Sequence, residues 1–70
     1  MKLVDYKNRE LEVGERVRLE KDIVSVDGVL YKNSIVKIDE WNEKNTTIRV
    51  TDNMGKIWWI YPSDVSASFL

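Results

Sequence analysis

The chain has seventy residues, with eleven basic and twelve acidic side chains, a formal charge of −1, and neither cysteine nor histidine. Those two absences exclude disulfide staples, thiolate nucleophiles, imidazole or thiolate metal sites and the usual general base near neutral pH. The length fits one domain spanning 1–70, near the size at which a single core becomes marginal, so three Trp, three Tyr and one Phe must supply much of the packing.

A small domain without disulfides is expected in the cytoplasm. No apolar run approaches the roughly 18–20 residues that span a bilayer, and Met1-Lys2-Leu3-Val4-Asp5 does not read as a signal peptide. The balanced charge argues against a dedicated nucleic-acid module, which usually carries a basic excess.

In chain order, Leu3-Val4-Asp5-Tyr6 and Leu11-Glu12-Val13 flank Lys7-Asn8-Arg9-Glu10, so residues 1–12 read as an N-terminal arm or small hairpin. Val13, Val17 and Leu19 interleave with Arg16, Arg18 and Glu20, the period-two pattern of a strand with one wet face. Residues 21–33 form a long connection folded on itself at Asp27-Gly28, a strong hairpin signal. Ile23, Val24, Val26, Val29, Leu30 and Tyr31 lie in that loop, more apolar surface than a loop can bury.

Ser34 to Trp41 reads as a second clear strand centred on Ile35-Val36-Lys37-Ile38, followed by a polar turn. Thr46 to Thr51 is β-branched and alternating, hence strand. Asp52-Asn53-Met54-Gly55 is a hairpin turn with Gly55 suited to positive φ, and Asn33 and Asn53 are candidate left-handed turn residues. Ile57 to Tyr61 is an aromatic strand stopped by Pro62. Pro62-Ser63-Asp64 suits one 3₁₀ turn, with the Asp64 carboxylate capping it, and 65–70 is a last strand. No helical period occurs.

Five strands, a long second connection, two tighter hairpins and a 3₁₀ turn describe an all-β, SH3-like barrel; an OB-fold generally needs a longer chain. Lys32-Asn33-Ser34-Ile35-Val36-Lys37-Ile38, Asp52-Asn53-Met54-Gly55 and Ile60-Tyr61-Pro62-Ser63-Asp64-Val65 resemble the second-strand entry, distal hairpin and final turn of that layout. The polyproline groove of eukaryotic SH3 domains does not carry over. Val17-Arg18-Leu19-Glu20-Lys21 replaces their Tyr-rich first strand, and Thr46-Thr47 stands where their Trp pair opens the third strand. The chain more closely resembles bacterial and phage SH3-like modules, in particular the YorP family of small prophage proteins. That likeness rests on Val50, Asp52, Gly55, Ile57, Ile60, Asp64 and Val65, with Val13-Gly14…Val17 and Ile35…Ile38, over residues 13–66. It implies the fold and a phage or prophage accessory role, with no activity attached. It also implies that Ile57, Ile60 and Val65 all face inward, which requires a bulge in the aromatic strand.

Alternation puts Trp58 and Trp59 on opposite faces. The expected function is non-enzymatic protein recognition through an aromatic patch of Trp41, Trp58, Trp59, Tyr61 and Tyr31 together with the 21–33 loop, because Trp and Tyr dominate binding hot spots. The blander alternative is that the rings seal the barrel ends. A second reading is single-stranded nucleic-acid binding through Arg16, Arg18, Lys37 and Arg49 beside aromatics, against which Glu15, Glu20, Asp39 and Glu40 offer solvated ion pairs. Self-association through an edge strand or the Trp face is a third. No catalytic set stands at a recognisable spacing. Asp39, Glu40 and Glu43 lack EF-hand spacing and read as a solvated turn, so no metal, cofactor or membrane contact is expected.

Overall fold

The computed structural model describes residues 2–67. Among the described residues seven short strands occur: β1 (Arg16–Leu19), β2 (Ile23–Ser25), β3 (Gly28–Leu30), β4 (Ile35–Asn42), β5 (Thr47–Thr51), β6 (Ile57–Ile60) and β7 (Val65–Ala67), with a 3₁₀ turn over Pro62–Asp64. The fold is all-β, and among the described residues no helix is long and apolar enough to cross a membrane. The expected continuation of the last strand through 68–70 lies outside the described residues.

β1, β4, β5, β6 and β7 form one antiparallel sheet in the order β6-β5-β4-β1-β7, while β2 and β3 form a separate ribbon. Among the described residues β6 and β7 are edges and do not pair, so the expected closed barrel ladder is not formed. The 21–33 hairpin does form: Ser25 pairs with Gly28, and Gly28 takes φ +142°. The N-terminal segment is the small hairpin, closed by a bridge between Val4 and Glu10.

Alternation builds the core. Val17 and Leu19 of β1, Val36 and Ile38 of β4, Ile48 and Val50 of β5, and Trp58 and Ile60 of β6 all point to one side. Leu3 and Leu11 of the N-terminal hairpin, Leu30 of β3 and Val65 of β7 complete it. β6 is regular, alternating out and in from Ile57 onward. The inward Ile57 and the bulge it required are therefore corrected: Ile57 faces out, 54% exposed, because it pairs with the outward Thr51.

The irregularity sits in β4 instead. Ile38 pairs with Val50, but Glu40 pairs with Arg49 and Trp41 with Ile48, leaving Asp39 as the extra residue. A bulge of one residue reverses the facing of everything after it. Trp41, an odd position that would otherwise share the outer face with Lys37, turns toward buried Ile48 and packs on the core. The Asp39 carboxylate accepts a hydrogen bond from the Thr51 hydroxyl across the strands.

Candidate functional site

β6 runs straight into Tyr61 and the 3₁₀ turn, and alternation leaves Trp59 and Tyr61 pointing outward, 50% and 57% exposed. Both rings border a groove of about 350 Å³. Its opposite wall is the start of the β2–β3 hairpin, with Ile23 half-buried against the core and Val24 exposed.

Asp64 fixes the closed end of this groove. Its backbone N–H donates to the Tyr61 carbonyl at 2.9 Å, and its Oδ2 accepts the Tyr61 N–H at 3.1 Å. The Asp64 carbonyl accepts the Glu20 N–H at 2.8 Å, and Lys21 Nζ lies 3.0 Å from Oδ1. One buried carboxylate thus ties the end of β6 to the base of the hairpin, the capping role its sequence position suggested. The groove is apolar and aromatic along its walls, with a lysine–carboxylate pair at one end.

Trp58 does not join the exposed patch. It is 7% exposed, and its indole Nε1–H donates to Asp52 Oδ2 at 3.0 Å. Asp52 Oδ1 also accepts the N–H groups of Met54 and Lys56, both at 2.9 Å, and Lys56 Nζ sits 4.3 Å from the Trp58 ring centre. Partial burial pushes the Asp52 carboxyl up. The bonds from Trp58, Lys56 and Met54 and the Lys56 charge outweigh that and hold it below the usual carboxylate range. Trp41 likewise belongs to the core margin. Tyr31 is 64% exposed but borders a different groove, with Met54 and Ile35. The structure therefore brings together Trp59, Tyr61 and the hairpin base, and separates Trp41, Trp58 and Tyr31 from them. Of these groove residues, Asp64 looked purely structural in sequence; only its Lys21 contact, set by tertiary packing, places it at the site.

The four basic residues of the second reading do share one face. Arg16 stands opposite Lys37 and Arg18 opposite Ile35, while Arg49 stands between Glu40 and Trp59. Carboxylates accompany them: Arg18 Nη2 is 3.8 Å from Glu20, and Arg49 is 4.0 Å from Asp39 and 3.8 Å from Glu40. Arg49 Nε is buried without a hydrogen bond. Asn33 takes the left-handed conformation at φ 75°, whereas Asn53 does not; Asn8 and Thr46 do. Among the described residues no cluster of acidic side chains is arranged to hold a metal ion. Comparison with family models, curated proteins and solved structures returned no match.

Proposed function

We propose that this chain is a non-enzymatic recognition module of SH3-like architecture. It holds an extended, apolar segment of a protein partner in the groove between the β2–β3 hairpin and β6. The observation that carries this reading is the convergence of half-exposed Trp59 and Tyr61 with Ile23 and Val24 across one groove. Large rings with few rotors contribute much contact area at small entropic cost. The strand order, the hairpin after β1 and the 3₁₀ turn between β6 and β7 support the SH3-like assignment. The YorP resemblance suggests a bacterial or phage cytoplasm as the setting.

A displayed peptide library selected on the full chain tests this. Enriched peptides should lose at least about tenfold in affinity, or 1.4 kcal/mol, on Trp59→Ala or Tyr61→Ala. They should be indifferent to Met54→Ala, an exposed residue outside the groove. Binders whose amide shift changes map away from residues 21–24 and 59–64 would remove the reading.

The shared face of Arg16, Arg18, Lys37 and Arg49 beside Trp59 favours the second reading, single-stranded nucleic acid laid across the sheet. Binding of an oligonucleotide over a salt series decides it. Each phosphate contact contributes a slope of about −0.7 in log K against log salt for a single strand. A flat response eliminates phosphate contacts.

A further inference from the structure

The two edges of the main sheet are treated differently by the chain. In an antiparallel ladder, the residues of an edge strand direct their N–H and C=O groups alternately to the neighbour and away from it. On β7, the bond from Glu20 N–H to the Asp64 carbonyl sets the phase, so Val65 and Ala67 point outward. All three outward groups with described partners are taken: Val65 N–H by the Pro62 carbonyl, Val65 C=O by Tyr6 N–H at 2.7 Å, and Ala67 N–H by Asp5 Oδ2 at 2.9 Å. The N-terminal hairpin covers that edge.

On β6, the bond from Asp52 N–H to the Lys56 carbonyl sets the phase in the same way. Lys56, Trp58 and Ile60 therefore bond toward β5, and Ile57 and Trp59 direct their N–H and C=O groups outward. These groups have no partner among the described residues, and no described strand pairs with that edge. Within the strand itself Ile57-Trp58-Trp59-Ile60 holds no charge, proline or bulge to block pairing, and the β2–β3 hairpin lies beside it without pairing to it. The nearest cation is turned away from the edge: Lys56 Nζ donates to the Asp27 carbonyl at 3.1 Å, on the inner side where it overlies Trp58.

We infer that β6, when no partner segment occupies the groove beside it, pairs antiparallel with β6 of a second copy of this chain, forming a two-fold dimer through a continuous sheet. Only one register uses free groups throughout, with Ile57 opposite Trp59 of the partner and Trp59 opposite Ile57 of the partner. Centring the pair on Trp59 would require Tyr61, whose N–H and C=O are bonded to Asp64. Centring it on Ile57 would require Gly55, whose N–H is bonded to the Asp52 carbonyl. The allowed register forms four main-chain hydrogen bonds. It sets each exposed Ile57 side chain against the partner's Trp59 on the outer face, the kind of aromatic–β-branched cross-strand pair that stabilises sheets. Because the N-terminal hairpin covers β7, no β6-to-β7 contact can propagate, and association stops at two.

Sedimentation velocity on the full chain from micromolar to millimolar concentration, with amide hydrogen exchange at both ends of the range, tests the inference. The expected result is a monomer–dimer equilibrium with no larger species. The Ile57 and Trp59 amides should exchange more slowly at high concentration, while the Tyr61 and Val65 amides, already bonded internally, should not change. Ile57→Lys, at a half-exposed position, should weaken association at least about tenfold. A chain that stays monomeric at millimolar concentration overturns the inference. So does a dimer in which exchange at Ile57 and Trp59 is independent of concentration, since that places the contact elsewhere.

Discussion

Asp5 Oδ2 accepts the backbone N–H of Ala67 at 2.9 Å, joining residues 62 positions apart in the sequence. The same side chain, fully buried, accepts the N–H groups of Lys7 at 2.9 Å and Arg9 at 2.8 Å, and the Arg9 Nε–H at 3.0 Å. One carboxylate closes the N-terminal turn and clasps it to β7.

Burial pushes the Asp5 carboxyl up, but the bonds from Arg9, Ala67 and Lys7 and the Arg9 charge outweigh it, leaving the group below its ordinary value of 3.8. Asp52 is lowered as well. A carboxyl depressed in the folded state contributes stability that is complete above its unfolded value, near 3.9, and lost as pH falls through the folded one. Urea unfolding should therefore give a flat stability from neutrality to about pH 5 and a steep fall below about pH 4. Asp5→Ala, which strands buried donors, should cost about 3 kcal/mol at neutral pH and flatten the acid limb. An acid limb unchanged in that variant would show that other groups set it.

Asp52 and Trp58 form a second clasp, within the β5–β6 hairpin. Asp52→Ala should destabilise by about 2 kcal/mol, and Trp58→Phe should remove the same bond. A double-mutant cycle of the two, read by chemical denaturation, should return a coupling of about 1 kcal/mol. Strict additivity would mean the indole bond contributes nothing.

The three tryptophans should separate by placement. Trp58→Ala should cost about 3–5 kcal/mol and Trp41→Ala about 2 kcal/mol, whereas Trp59→Ala should stay within about 1 kcal/mol. Of the three, Trp59→Ala alone should abolish partner binding while leaving thermal stability nearly intact. A Trp59 variant as unstable as the Trp58 variant contradicts the assignment of Trp59 to the surface.

Thr46 holds φ 55° in the turn between β4 and β5, a conformation that a β-branched residue adopts only under strain. Asn tolerates it, as Asn8 and Asn33 do elsewhere in the chain. Thr46→Asn should raise stability by about 0.5–1 kcal/mol in a thermal melt. A lower melting temperature would mean that the Thr46 side chain contributes more than its backbone strain costs.

The strands, the Asp27-Gly28 hairpin, the 52–55 turn and the Pro62-Ser63-Asp64 step were legible because each is written locally, in period-two alternation or in turn chemistry. The candidate site was legible only in part. Alternation separates Trp58 from Trp59 without saying which is outward, and the aromatic patch of Trp41, Trp58, Trp59, Tyr61 and Tyr31 mixes rings that turn to the core, Trp58 and Trp41, with exposed ones. The outward Ile57 ran against the spacing that the family likeness suggested.

The sequence by itself determined that the chain builds strands and that Trp58 and Trp59 oppose each other, since adjacent side chains on a regular strand must. Which of the two faces the core was decided by tertiary pairing, through Val50 opposite Trp58 and Arg49 opposite Trp59. Alternation sets relative facing, while absolute facing depends on cross-strand register. Tertiary structure also decided the Asp39 bulge that turns Trp41 inward, and the cover that the N-terminal hairpin gives to β7 but not to β6. Both depend on groups far apart in the chain, where a local pattern carries no information.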